Sequence, residues 1–279
     1  MKKLFDDVSG ACSRQLTKTY STSFSTAVRM LAPSIRQDVY NIYGFVRLAD
    51  EIVDSFLDYR QQTLLDQLRT QTYEAVSDGI SLNPVLNAFQ ETVNRYDMPM
   101  KMIDDFLRSM ETDLNKKTYD SKEEYDLYIY GSADVVGLMC LHVFVKGDAK
   151  KFDELKASAM RLGSAFQKVN FLRDFKADFE LLGRVYFPGT DFETLSDLDK
   201  KNIIADIHED LEQGFQGIKR LPIEARLGVY VAYRYYRALL GRLNRIASED
   251  LKKRRIRVPN YSKLTLFARC YLDHKLNLI

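Results

Sequence analysis

Three observations predict an all-α fold, a single-domain helical bundle. Apolar residues recur at three- and four-residue spacing over long segments, no comparably long segment alternates with period two, and only 6 prolines interrupt 279 residues. Residues 39–59, 125–145, 152–180 and 224–246 carry the periodicity most clearly. Pro84, after a capping Asn83, opens a helix over 85–96, and Pro99 opens another over 100–114. Residues 183–202 read as the main loop, broken by Gly183, Pro188 and Gly189. No linker rich in Gly, Ser or Pro and no repeat divides the chain, so residues 1–279 are expected to form a single domain.

Charge and cysteine content narrow the function classes. With 41 Lys+Arg against 39 Asp+Glu the net charge is +2, which argues against a strongly basic nucleic-acid binder. Cys12, Cys140 and Cys270 are far apart and form no C-x-x-C, in keeping with a reducing, cytoplasmic compartment. The first fifteen residues reach Asp6 and Asp7 before any apolar run of secretory length. The longest apolar stretch, Val135 to Val145, is broken by Gly137 and His142 and is far below the ~20 residues that span a bilayer. No segment is expected to cross a membrane.

Two acidic pairs point to chemistry. Asp50 and Asp54 stand four apart, on one helix face, with Arg47 three residues earlier. With 39 acids in 279 residues, about five such pairs arise by chance, so one alone would be read as a solvated face. Asp174 and Asp178 repeat the spacing, preceded by Gln167 and Asn170 at helical intervals. These four fall within an arc of roughly 80° beside an apolar arc of Phe171, Leu172, Phe175 and Phe179. Lys168, Arg173 and Lys176 fall elsewhere around that helix, leaving the acids without an offsetting cation. Two such helices face to face would gather four carboxylates around one cavity, where like charges ~4 Å apart repel by roughly 4 kcal/mol at an effective dielectric near 20. Oxygen ligands without His or Cys select Mg²⁺, which shares its shell with substrate phosphates. Serines, tyrosines and arginines in YSTSFS, YIYG and RVYFP suit diphosphate oxygens, and aromatic faces among 17 Tyr and 16 Phe suit a carbocation.

At these residues the sequence resembles the squalene/phytoene synthase family, the head-to-head prenyl synthases. The resemblance runs through YSTSFSTAVRML, GFVRLADEIVD, YIYGSADVVGLM, QKVNFLRDFKAD and GRVYFP in order. It implies one all-α domain, an isoprenoid-synthase-type helical bundle with a central cavity, and the joining of two isoprenoid diphosphates through a cyclopropyl intermediate. It also implies Mg²⁺, with Mn²⁺ as an alternative, held by Asp50, Asp54, Asn170, Asp174 and Asp178. Ser21, Ser23, Phe24, Arg47, Gln167, Asn170, Arg173, Arg184 and Tyr186 resemble the substrate contacts, and Tyr128 the aromatic beside the ionising allylic centre. The DEIVD, NFLRD and GRVYFP blocks look most like phytoene synthases, which take two C20 geranylgeranyl diphosphates in carotenoid biosynthesis without NADPH. The alternative is a C15 farnesyl diphosphate-using squalene, presqualene diphosphate or dehydrosqualene synthase. From other classes come a non-catalytic relative and a plain diphosphate-binding module. Asp134 stands where many relatives carry a small residue, its acid pointing outward or touching the cavity. The basic run 252–257 reads as a further diphosphate contact, an anionic-membrane patch or a solvated face. The expected partners are prenyl diphosphates, with no nucleic acid, transient peripheral membrane contact, and a monomer or weak dimer.

Overall fold

The computed structural model describes residues 2–276 and 278–279. In chain order its helices are α1 (Lys2–Tyr20), α2 (Thr22–Arg29), α3 (Pro33–Asp54), α4 (Gln61–Asp78), α5 (Pro84–Arg95), α6 (Met100–Asn115) and α7 (Lys122–Ile129). A π-helical turn, Tyr130–Asp134, joins α7 to α8 (Val135–Phe144). Then come α9 (Ala149–Leu182), α10 (Asp197–Arg220), α11 (Ile223–Arg245), α12 (Ser248–Leu251) and α13 (Asn260–Lys275). Among the described residues there is no strand, only an isolated bridge between Thr118 and Val185. The all-α expectation holds.

Local chemistry sets the helix ends. Asn83 accepts from the amides of Val85 (3.0 Å) and Leu86 (3.5 Å), and Pro84 and Pro99 start α5 and α6 as their positions predict. The helix expected over 39–59 stops at Asp54, because Gln61 donates to the freed carbonyls of Ile52 (2.7 Å) and Val53 (3.1 Å). The loop expected through 202 ends earlier. Ser196 and Asp199 form a reciprocal capping box that starts α10 at Asp197.

Two apolar clusters frame the interior. One gathers α9, α10 and α11 around Val169, Ile207 and Tyr233; the other gathers α3, α5, α6 and α8 around Phe45, Phe89 and Phe106. Phe45 and Phe89 stack with centroids 4.1 Å apart. The continuous Lys122–Phe144 rod is the one described helix long and apolar enough to cross a bilayer, and most of its apolar window is buried against its neighbours.

Asp134 is turned neither outward nor onto the cavity wall. Its carboxylate accepts from the Ser164 hydroxyl (2.6 Å), tying the π turn to α9, and burial raises its pKa to about 7 against that hydrogen bond. Beside it, backbone meets backbone. A Cβ on Gly163 would stand 2.8 Å from the Ala133 carbonyl oxygen, with no flexible side chain to yield. Gly163→Ala is therefore expected to destabilise the fold by about 1–3 kcal/mol, measured by denaturant unfolding, through overpacking of α9 on the π turn.

Candidate active site

The four predicted aspartates line a single cavity of about 520 Å³ between the two clusters, within the range of small-molecule sites. Asp50 and Asp54 come from the last turns of α3, and Asp174 and Asp178 from the last third of α9. Gln167, Asn170 and Arg173 of α9, Arg47 of α3, and Ser21 and Phe24 at the start of α2 share its wall. Tyr128 of α7 and Arg184 and Tyr186 of the segment after α9 complete the expected set. Ser23 is the exception. It lies about 100° around α2 from Phe24, and the wall there is built by Phe24, Ala27 and Val28. Ser21 reaches the wall while its hydroxyl accepts the Phe24 amide (3.3 Å) as the α2 cap.

Arginines offset more of the acidic charge than the helical spacing predicted. Arg173 does not point away. It bonds Asp174 through Nε (3.0 Å) and a terminal nitrogen (2.5 Å), because its long side chain folds back past its own neighbour. Arg255, from the basic run after α12, reaches the same carboxylate through Nε (2.6 Å) and lines the cavity. Arg184 donates to Asp54 (2.6 Å), and Arg47 pairs with Glu51 while standing 3.9 Å from Asp50.

What remains is charge held in a poorly hydrated place. Burial, and then the Asp54 charge, push Asp50 up to about 7, although about a third of its side chain (32%) still faces the open cavity. Burial followed by Asp174 and Asp54 pushes Asp178 to about 8. Among the described residues no three His, Cys, Asp or Glu side chains converge tightly enough to grip one ion. All-oxygen carboxylate pairs without a closed cage fit Mg²⁺ in the mode where one or two carboxylates and substrate phosphates share the shell. Asn170 carries its amide oxygen at this level, where it accepts from the Tyr236 hydroxyl (3.3 Å).

Asp113 and Tyr236 escaped the sequence reading, and Arg255 was foreseen only as one member of the basic run 252–257. Asp113, at the end of α6, is buried; one carboxylate oxygen accepts from the Tyr128 hydroxyl (2.9 Å) and the other has no partner. Burial pushes its pKa to about 7. It has no acidic partner at i±4, so no local pattern marks it. Arg255 sits inside a charge run whose members look alike, and Tyr236 belongs to a helix rich in tyrosines that mostly pack.

Beyond the charged end the wall turns apolar. Phe171 and Tyr186 stack with centroids 3.7 Å apart, and Tyr128 lies 5.6 Å from Tyr186 and 6.1 Å from Phe171. Phe166 stacks on Tyr236 at 4.1 Å. Along α9 the wall extends from Leu155 to Asp178, roughly 35 Å at 1.5 Å per residue. An acidic, arginine-flanked end therefore opens into a long greasy interior.

Comparison with known proteins gives this arrangement a context. The squalene/phytoene synthase family profile matches residues 17–262. The chain is 28% identical over 276 residues to phytoene synthase 3, chloroplastic, of Zea mays, a match covering 92% of this chain and 64% of that protein's length. It is 26% identical over 277 residues to the phytoene synthase of Arthrospira platensis, covering 90% and 88% of the two chains. Among solved structures, a dehydrosqualene synthase in complex with ligand superposes with a TM-score of 0.82 at 23% identity, covering 97% of this chain and 98% of the other. With the profile spanning most of its length, this chain belongs to the squalene/phytoene synthase family of head-to-head prenyltransferases.

Proposed function

We propose that this protein is a phytoene synthase, condensing two geranylgeranyl diphosphates head to head into phytoene with release of two diphosphates. The observation that carries the reading is the cavity, in which two carboxylate pairs and four arginines at one end adjoin a continuous aromatic and aliphatic interior. The names of the relatives support the C20 choice.

In this reading Asp50, Asp54, Asp174 and Asp178, with Asn170, hold Mg²⁺, which supplies positive charge to the diphosphate oxygens as the allylic C–O bond breaks. Arg47, Arg173, Arg184 and Arg255 supply fixed guanidinium donors to the same oxygens. Their ion pairs with the aspartates give them a defined aim before substrate arrives. Tyr128, Phe171 and Tyr186 present ring faces and edges to the allylic cation. The second chain's double bond adds to it and a proton passes to the released diphosphate, closing a cyclopropyl intermediate. That intermediate's own diphosphate then leaves to give a second cation that rearranges and loses a proton. Tyr128 is kept a neutral phenol, since burial raises its pKa well above the ordinary value. Apolar walls from Phe24, Val28, Leu162 and Phe166 exclude the water that would quench either cation.

The test is to incubate the purified protein with Mg²⁺ and either geranylgeranyl or farnesyl diphosphate, with and without NADPH, and to identify the extracted products by mass. A C40 hydrocarbon from the C20 substrate, independent of NADPH, is expected. A C30 product from farnesyl diphosphate alone would assign the squalene or dehydrosqualene branch instead. The double variant Asp50→Asn, Asp174→Asn is expected to fold as the parent does and to lose at least about 10²–10³-fold in kcat/KM, read as pyrophosphate release. Full turnover in that variant would leave the acids as scaffold.

The raised carboxyls also set a pH dependence. In the unfolded chain they ionise near 4, whereas in the folded, metal-free chain Asp50 and Asp178 hold their protons to about 7 and 8. The folded state thus binds more protons across this window, and stability falls as pH rises through it. The melting temperature in EDTA is expected to drop between pH 5 and 9, and Mg²⁺ with inorganic diphosphate to restore it most at the alkaline end.

A further inference from the structure

Helix α13 carries apolar residues on both sides, and the fold covers only one of them. Leu266, Phe267 and Cys270 pack inward on the cluster around α11, where Arg234 (3.2 Å) and the Tyr230 hydroxyl (3.0 Å) meet Asp273. The outer side carries Tyr261, Leu264, Tyr271, Leu272 and Leu276, all exposed, with Tyr261 and Leu264 at 72%. Their three- to four-residue recurrence, bridged at the next turn by the small, exposed Ala268, makes them one stripe along the helix. A periodic apolar face of this length is a surface built for contact.

The charges beside the stripe are of one sign. Arg269 and Lys275 lie on the same helix and are exposed, its Lys263 stands over the Tyr235 ring of α11 on the packed side, and its one acid, Asp273, is turned inward onto Arg234. The Lys275 ammonium stands 5.7 Å from the Tyr271 ring, within the stripe itself. The approach to the helix adds exposed Arg254 and Arg257. Among the described residues no carboxylate lies within 4 Å of Arg254, Arg257, Arg269 or Lys275; the pairs of this region belong to Lys252, Lys253, Arg255 and Arg234. Two copies meeting through this face would press these cations together, whereas an anionic surface would neutralise them. On the far side of α11, Gly228, Val229, Ala232 and Tyr236 line the cavity, so one helix separates the stripe from the cavity.

We propose that the outer face of α13 is a membrane-docking surface. Tyr261, Leu264, Tyr271, Leu272 and Leu276 enter the headgroup–acyl boundary of an anionic bilayer, and Arg269, Lys275 and Arg257 meet its phosphates. This goes beyond the assigned chemistry and does not depend on it, because docking is measured without turnover.

The test is co-sedimentation of the full chain with vesicles of phosphatidylcholine containing about a third phosphatidylglycerol, and with phosphatidylcholine alone. The parent is expected to bind the anionic vesicles and to release in high salt. Leu264→Glu with Leu272→Glu, and separately Arg269→Glu with Lys275→Glu, are expected to reduce binding about tenfold or more. Leu82→Glu, on the exposed α4–α5 connection, is expected to bind as the parent does, and unchanged circular dichroism and melting confirm that each variant folds. Parent protein that stays in solution, or stripe variants that bind undiminished, would overturn the proposal. So would a lipid-free parent dimer that Leu264→Glu with Leu272→Glu splits into monomers, since the stripe would then belong to a second copy.

Discussion

The site depends on one buried guanidinium. Arg184 is 5% exposed and ties two helix ends together, donating to the Asp54 carboxylate and the Val53 carbonyl (3.2 Å) at the end of α3 and to the Asp113 carbonyl near the end of α6 (3.0 Å). Two of those acceptors are carbonyls in the closing turns of helices, groups left without an intrahelical partner. The Tyr186 hydroxyl, 3.3 Å away, is aligned by the same group. An arginine buried without such partners would be intolerable, and the Asp113 carbonyl gains its side-chain donor from it, whereas Val53 shares its carbonyl between Arg184 and Gln61. This pins the end of α3, and with it Asp50 and Asp54, opposite the acids of α9.

That pin explains why like charges can be stored in the fold. Carboxylates that repel one another gain nothing by being gathered, and burial makes matters worse, as the raised Asp50 and Asp178 show. They are held by the apolar clusters on either side and by arginines that meet some of the acids and leave others short of charge. Asp174 carries two guanidinium partners, whereas Asp178 has none within 4 Å among the described residues. Such unevenness makes room for an additional cation and an anionic group together, which is what a metal–diphosphate pair is. Proteins commonly place their least relaxed electrostatics where ligands are meant to supply the missing partner.

Much of this was legible in the sequence because helical periodicity is local. The i,i+4 spacing of Asp50 with Asp54 and of Asp174 with Asp178 needs only the geometry of one helix, and long apolar repeats gave α3, α9 and α11 within a few residues at most ends. What escaped depends on long-range approach. Which member of the basic run 252–257 enters the cavity is decided by Arg255 reaching Asp174 across 81 residues of chain, and Asp113 gains its place from the way α6 ends beside Tyr128. Arg173 was misjudged for a different reason: helical angles locate a Cβ, not the end of a flexible guanidinium. The π turn at Tyr130–Asp134 likewise leaves no periodicity break large enough to see, since the apolar pattern continues through it.

The cavity wall is made of elements at close approach. Gly137, Gly163, Gly214, Gly217 and Gly228 all line the cavity. A Cβ on Gly228 would meet the Leu31 side chain at 2.4 Å, and one on Gly217 would meet Ser158 Cβ at 2.4 Å. The missing side chains at these positions let neighbouring elements pack directly on one another. A wall built this way is rigid, since packed backbones have no slack to close the gap. Rigidity suits the proposed carbocation chemistry, in which a fixed dry surface would hold the reactive chain in place beside the charged end.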